Sequence, residues 1–167
     1  MIDKNELENN LNRVHEWIRA ADNKVSILLA LEGIIITLLI SDSVSSLVGG
    51  FQYGCWSTTL FVAGFVLLFV SAYKAILAII PRLKRGKKEP SLIYFGDVAN
   101  MDLKTYEGEI RKLSEKDYES QLLEQIHISS VIAASKHKHF RDSIITLAFS
   151  FLLLTAVCLL RFLSYGY

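Results

Sequence analysis

The sequence predicts an all-α membrane protein with three transmembrane helices, of which the first and third extend into a cytosolic helical bundle. Three observations support this class. The chain has 167 residues, 51% of them hydrophobic, and a mean hydropathy of +0.34. It contains three apolar runs long enough to cross the ~30 Å hydrocarbon core of a bilayer. It has only two prolines, so long helices can form.

The first apolar run, Val25–Ile40, contains a single charged residue, Glu32. At ~1.5 Å per residue the run covers about 24 Å, and its flanks bring it close to the thickness of a bilayer core. A carboxylate at this depth costs roughly 2.5 kcal/mol or more to insert. Glu32 therefore needs a partner, a proton or a water-filled path.

An apolar seam with alternating spacings of four and three leads into this run, which is typical of a helix packed on another helix. Its members are Leu7, Leu11, Val14, Ile18, Ala21, Val25 and Leu28. The same spacing continues to Glu32, so we expect the carboxylate to face other helices rather than lipid. No proline lies between Asn5 and Ile40, so one helix is expected throughout.

A row of small residues accompanies the seam and would let a neighbouring backbone approach closely. It consists of Ser26, Ala30, Gly33 and Thr37.

The second run, Leu60–Ile80, is followed by Pro81 and contains one charged residue, Lys74. By helical rise Lys74 lies about 9 Å and Glu32 about 12 Å from the inner ends of their helices, so the two charges could meet. The favoured hypothesis is an intramembrane charged pair. The alternatives are a protonated Glu32 with Lys74 reaching toward the interface, and an ion or proton pathway.

A block of five cations after the second run predicts the topology, because basic loops beside spans stay in the cytosol. It comprises Arg82, Lys84, Arg85, Lys87 and Lys88. Attraction to anionic lipid explains the block better than nucleic-acid binding. The predicted order is a cytosolic helix at 1–24, spans at 25–41, 59–80 and 144–163, an outer loop at 42–58, a cytosolic region at 81–143 and an outer tail at 164–167. The N-terminus should therefore lie in the cytosol.

Within the region 81–143, the apolar segment after Pro90 is too short to cross a bilayer. It therefore predicts a turn or a short helix. A charged helix is expected over Leu103–Leu113. Ser114, with Asp117 three residues later, resembles the N-cap of a further helix. No Gly or Pro interrupts the chain from there to Gly166, so this helix should run directly into the third span.

No motif for catalysis or metal binding occurs, and we expect neither an enzyme nor a cofactor. His137 and His139 point about 200° apart on a helix and cannot chelate one ion. What remains is a group of residues suited to a small anionic ligand, near the cytosolic ends of the spans, where cations could meet a phosphate and aromatic rings could stack on a base. The candidates are Arg19, Asn23, Lys24, Tyr94, Phe95, Lys136 and Arg141. A solvated interfacial rim explains the same residues without a ligand.

Three runs resemble the transmembrane effector family of Pycsar, a bacterial antiphage defence system. They are AADNKVSILLALEG, SLIYFGDVA and QIHISSVIAASKHKHFRDSI, and they occur in the family's order over nearly the whole chain. The resemblance implies an effector that responds to cyclic CMP or cyclic UMP, made by a cognate pyrimidine cyclase, by compromising the inner membrane. The family motif positions are Asp22, Asn23, Lys24, Tyr94, Phe95, Gly96, Asp97, Ser130 and Lys136. Gly96 is expected to serve a turn and Asp97 to cap the following helix.

On this reading Lys136 and Lys24 meet the phosphate and Tyr94 stacks on the base. A homo-oligomer is expected, since three helices cannot enclose a water path. Two alternatives come from other classes of protein: a constitutive small ion channel that uses Glu32 and Lys74, and a scaffold whose cytosolic bundle docks a partner protein.

Overall fold

The computed structural model describes residues 3–41, 55–80 and 90–165. These ranges form five helices and contain no strand: α1 Lys4–Ile40, α2 Cys55–Ile79, α3 Phe95–Val98, α4 Leu103–Lys112 and α5 Glu115–Tyr165. Helices α1, α2 and α5 are long and apolar enough to cross a membrane. The predicted all-α class with three candidate spans is therefore confirmed.

Some predicted features lie outside the described residues. They are residues 42–54 of the outer loop, Pro81, the block of five cations and the end of the outer tail. Helix α2 begins at Cys55, within the range predicted as loop, and ends at Ile79.

The chain divides into two compact units. One unit combines Met1–Ala20 with Pro81–Ser135 and is called the polar unit, because it contains most of the charged helix surfaces. The other combines Ala21–Ile80 with Lys136–Tyr167 and is called the span unit. The division falls inside α1 and α5, and both helices continue through it without a break. The predicted continuity of the first and last helices is confirmed.

The apolar seam of α1 is buried as its spacing predicts. Leu7, Leu11, Val14, Ala21, Val25 and Leu28 are buried, and Ile18 is partly buried. In the polar unit Leu7 and Leu11 form a core with Leu122 of α5. In the span unit Val25 and Leu28 form a second core with Ala75 and Ala78 of α2. One face of a single helix thus contributes to both cores.

Helices α2 and α5 approach each other closely at Gly64 of α2. A Cβ atom at this position would lie 3.0 Å from Leu154 Cγ and 3.3 Å from Leu153 Cβ. The buried Ser150 hydroxyl of α5 donates to the Gly64 carbonyl at 2.6 Å. Because Gly64 has no side chain, the backbone of α2 packs directly against the Leu153 and Leu154 side chains of α5.

The row of small residues on α1, which was predicted to allow such an approach, stays exposed in the part of the chain that the structure describes. Ser26, Ala30, Gly33 and Thr37 are exposed, and a Cβ on Gly33 would meet nothing within 4 Å. The Thr37 hydroxyl donates to the Gly33 carbonyl of its own helix instead. Small residues at helical spacing indicate where an approach is possible, and neighbouring side chains decide whether it occurs.

The predicted short helix and caps of the polar unit are present, with one correction. Helix α3 spans only Phe95–Val98. Ser114 Oγ accepts from the Asp117 backbone N–H at 3.1 Å, which confirms its predicted capping role. Asp97 does not cap α4 as expected. Asp102 does so, because it directly precedes Leu103 and its side chain accepts from the backbone N–H groups of Lys104 and Thr105.

Candidate functional site

The seven candidate ligand residues are divided between the two units. The polar unit contains Arg19, Tyr94 and Phe95, whereas the span unit contains Asn23, Lys24, Lys136 and Arg141. Their surroundings differ, so each unit is described separately.

In the span unit, Lys136 is the candidate cation with the most developed environment. Its Nζ donates to Oδ1 of Asp22, which joins α5 to α1 across 114 positions of sequence. The Lys136 side chain is 12% exposed and that of Asp22 is 39% exposed. A lysine this sheltered is costly to leave without a counter-charge, so Asp22 stabilises its ammonium.

The other candidates in the span unit lie in more open surroundings. Asn23 and Lys24 are exposed on α1. Arg141 is also exposed, and its guanidinium lies 3.3 Å from the carboxylate of the neighbouring Asp142. Exposed pairs of this kind contribute little to stability, so Arg141 remains available to a ligand.

In the polar unit, Tyr94 and Phe95 form an aromatic pair at the start of α3. Their ring centroids are 4.9 Å apart and the rings are tilted by 54°. Phe95 is 69% exposed, whereas Tyr94 is only partly exposed. A Cβ on Gly96 would lie 2.7 Å from Tyr94 Cε1, so Gly96 is required for the Tyr94 ring to fold back over the helix. Phe95 thus presents the more accessible surface for a base, although the expectation favoured Tyr94.

The segment that carries this pair is held against α5 by partly buried hydrogen bonds. Ser91 is 2% exposed, and its backbone N–H donates to Asp97 Oδ2 at 2.8 Å. Gln121 Oε1 accepts from the Ser91 hydroxyl at 3.1 Å and from the Leu92 N–H at 2.9 Å. Ser91 and Asp97, which lie in the run that resembles the family, therefore hold the segment in place.

A cavity of about 440 Å³ lies in the polar unit, beside this segment. It is lined by Pro90, Leu92, Met101, Glu109, Lys112, Leu113, Asp117, Ser120, Gln121 and Glu124. None of the seven candidate residues is among them. Its volume falls in the range of small-molecule sites, but its lining contains three carboxylates and one lysine, so it disfavours an anion.

A further charged cluster of the polar unit joins α1 to α5. The Tyr118 hydroxyl donates to Glu8 Oε1 at 3.0 Å, and Lys4 Nζ lies 4.7 Å from the centre of the Tyr118 ring. Burial, together with the hydrogen bond to Glu8 and its negative charge, raises the pKa of Tyr118 above its ordinary value. The phenol therefore keeps its proton and acts as a donor to the Glu8 carboxylate.

Glu32 is 1% exposed, which confirms that it faces other helices. Its Oε1 shares a hydrogen bond with Ser71 Oγ of α2, while its Oε2 has no hydrogen-bond partner. Lys74 Nζ donates instead to Thr146 Oγ1 of α5 at 2.9 Å. The predicted charged pair of Glu32 and Lys74 is thus absent from the structure, since each side chain has a different partner.

No group of three histidine, cysteine, aspartate or glutamate side chains in the described ranges could hold a metal ion. His137 is exposed and His139 is half-buried on α5.

Comparison with known proteins assigns the chain to a family. The model of the Pycsar effector protein domain, PycTM, matches residues 6–163. The chain belongs to the Pycsar effector family. A relative from Propioniciclava tarda, "Pycsar effector protein PtPycTM", is 26% identical over 145 residues, which cover 81% of this chain and 68% of the relative. No solved structure matches the chain. This Pycsar effector is accordingly a transmembrane protein of antiphage defence.

In this Pycsar effector, sequence reasoning identified the cations and the buried carboxyl group but missed their partners. Asp22 is a polar residue of the first helix and a family motif position, but its pairing with Lys136 is not predicted, and neither are the roles of Ser71, Ser143 and Gln121. Serine and glutamine are common on helices of every kind, so no local signal distinguished them. Helical spacing relative to Glu32 could not do so either, because Ser71 and Ser143 lie on other helices.

Proposed function

We propose that this Pycsar effector is gated by a cyclic pyrimidine mononucleotide, cyclic CMP or cyclic UMP, and impairs the inner membrane of the infected cell when the nucleotide binds. Family membership and three apolar helices support an antiphage role at a membrane. The observation that carries the proposal is the sheltered ion pair of Lys136 with Asp22.

A cyclic mononucleotide brings a single phosphate charge, and Lys136 is suited to receive it. Its ammonium already holds an oxyanion, the Asp22 carboxylate, in a partly buried position. A phosphate oxygen offers the same charge and the same acceptor chemistry. Exchange of one oxyanion for the other keeps the sheltered lysine paired throughout, so no unpaired charge is created at Lys136.

The exchange also provides a mechanical signal. Release of Asp22 frees α1 from its ion pair with α5 in the span unit. Asp22 is the more exposed partner, so water can solvate its carboxylate after release. The protein then has two states, one with Asp22 paired to Lys136 and one with Asp22 released. A ligand shifts the equilibrium between them only if it binds one state more tightly. Phosphate binds the released state more tightly, because only there is Lys136 available to it.

The consequence for the membrane follows from the three spans. Three helices are too few to surround a water path, so we propose that several copies of the chain act together. The N-terminus and residues 81–143 lie in the cytosol in this proposal, on the side where a cognate cyclase supplies the nucleotide. The acid-lined cavity of the polar unit is not the phosphate site, because its carboxylates would repel the ligand.

Isothermal titration of the purified full-length protein with cyclic CMP, UMP, AMP and GMP tests the proposal. Lys136→Ala should weaken pyrimidine binding roughly 10- to 100-fold, the usual effect of losing one charge-assisted hydrogen bond. Asp22→Asn should tighten binding, because the competing carboxylate is gone. Lys138→Ala is the matched control, since Lys138 is an exposed cation two residues along the same helix.

Equal affinity of Lys136→Ala and the unaltered protein would contradict the assigned role. A protein that binds no cyclic nucleotide at all would favour the scaffold alternative. Ion flux without ligand, lost on neutralising Glu32, would favour the channel alternative.

A further inference from the structure

A buried polar cluster ties the three long helices together in the span unit. Glu32 of α1, Ser71 of α2 and Ser143 of α5 are each 0 to 1% exposed. Ser71 Oγ lies beside Glu32 Oε1, 2.9 Å from the Ser143 carbonyl oxygen and 3.0 Å from Ser143 Oγ. Ser143 Oγ in turn lies 2.9 Å from the Ser71 carbonyl oxygen. The two serines therefore face each other reciprocally across α2 and α5.

The hydroxyl protons of this cluster can be placed so that Glu32, as the neutral acid, is the hydrogen-bond donor to Ser71. Each serine hydroxyl has one proton, and each lies 2.9 Å from the backbone carbonyl of the other serine. When both protons are donated in this reciprocal exchange, Ser71 Oγ has only lone pairs left to offer Glu32 Oε1. The hydrogen in that contact must then come from the carboxyl group itself.

The remaining oxygen of Glu32 supports the same assignment. Oε2 is buried and has no hydrogen-bond partner. An ionised carboxylate would leave a charged oxygen unsolvated between apolar helices, which is among the most costly arrangements in a membrane. In a carboxylic acid that donates from Oε1, Oε2 is a neutral carbonyl oxygen, for which a missing partner costs far less.

Among the described residues, no charged group beside Glu32 compensates a carboxylate there. On α2 the nearest cation along the helix is Lys74, whose Nζ donates to Thr146 Oγ1. On α5 the groups flanking Ser143 are Asp142, Arg141 and His139. Asp142 and Arg141 lie against each other, and His139 is half-buried one turn before Ser143. Helix α1 has no other titratable residue between Val25 and Ile40. No lysine, arginine or histidine in the described part of the chain forms an ion pair with Glu32.

We propose that Glu32 is a proton-binding site: in the packed span unit it is held as the neutral acid and donates its proton to Ser71. The bound proton thus stabilises the packing of α1 against α2 and α5. Separation of these helices exposes the carboxyl group to water, where it releases the proton. This proposal is independent of the nucleotide site, because Glu32 and Lys136 have no partner in common.

Infrared spectroscopy of the full-length protein in lipid vesicles at neutral pH tests the protonation state directly. The spectrum of unaltered protein minus that of Glu32→Gln should contain the carbonyl stretch of a carboxylic acid. A carboxylate band in its place overturns the proposal. If the Gln variant does not fold, Glu32→Asp serves for assignment, because its acid band should shift rather than disappear.

The pH dependence of stability is a second test. A packed state that binds one extra proton loses up to about tenfold in its equilibrium constant per pH unit above the pKa of the exposed acid. The melting temperature of the unaltered protein should therefore fall as the pH rises from neutral, and Glu32→Gln should lack this component. Glu107→Gln, at an exposed position of α4, is the matched control and should keep it. Equal pH slopes for the unaltered protein and Glu32→Gln, or a rise in stability with pH that Glu32→Gln removes, overturn the proposal.

Discussion

Three aspartates of the polar unit stabilise local structure. Asp97 accepts from the backbone N–H of Ser91. Asp102 caps α4, and Asp117 accepts from the Ser114 hydroxyl that caps α5. Each of these carboxylates satisfies donors that the ends of helices and turns would otherwise leave unpaired. Acidic residues beside a motif therefore need no ligand to explain them.

The cap that Asp102 forms on α4 should depend on pH. The Thr105 side chain and backbone N–H donate to its carboxylate and lower its pKa below the ordinary value of 3.8. A carboxylate with a lowered pKa stabilises the fold above its ordinary pKa, and that contribution is lost as the pH falls through the folded pKa. Hydrogen exchange at the Lys104 and Thr105 amides should therefore accelerate on acidification below about pH 4, after correction for intrinsic rates.

Two variants distinguish the effect of the Asp102 hydrogen-bond acceptor from the effect of its negative charge. Asp102→Ala should accelerate exchange at the same amides already at neutral pH, because no side-chain acceptor remains. Asp102→Asn keeps an acceptor and should exchange slowly at both pH values. Slow exchange in Asp102→Ala would show that the cap does not stabilise α4.

The sequence predicts which residues are buried better than it predicts which side chains they bond to. The seam spacing predicted that Glu32 faces other helices, and it does. The predicted ion pair of Glu32 and Lys74 does not form, because two side chains at equal depth in the membrane meet only if their helices turn them toward each other. Lys74 points to Thr146 of α5, and a serine occupies the place beside Glu32. Asp22 was likewise visible, but its role as partner of Lys136 depends on the rotation of two helices about their axes.

At the scale of elements, long helices were predicted well because their signals are repeated many times. Seven seam positions support α1, and the absence of proline or glycine supports α5 over Glu115–Tyr165. Helix α2 begins at Cys55, five residues before the apolar run that predicts the second span, because the small polar residues between them resemble a loop. Gly64 was missed, since one glycine in an apolar run has no distinguishing neighbour in sequence.

Replacement of Gly64 tests the packing of α2 on α5. Gly64→Val should lower the melting temperature of the detergent-solubilised protein, because its Cβ would lie 3.0 Å from Leu154 Cγ and displace the Ser150 hydrogen bond. Overpacking of this kind typically costs about 1–3 kcal/mol. Gly33→Val is the control, since a Cβ there meets nothing within 4 Å. A Gly64→Val variant as stable as this control would contradict the close approach.

At the scale of the whole molecule, the exposed apolar surface of the long helices is explained by a membrane. Ile34, Val66 and Leu152 lie on α1, α2 and α5 respectively, and all three are more than half exposed. Side chains of this kind are stable against lipid or against another copy of the chain, and unfavourable in water. Composition alone could predict this property, whereas the division into two units depends on which parts of α1 and α5 contact the residues between them.

Release of a dye from liposomes that contain the purified protein tests the central claim most directly. Cyclic CMP or cyclic UMP should trigger release, purine cyclic mononucleotides should not, and Lys136→Ala should require at least roughly tenfold more ligand. Lys138→Ala should respond as the unaltered protein does. Release that is independent of nucleotide, or no release with any cyclic nucleotide, would contradict the account.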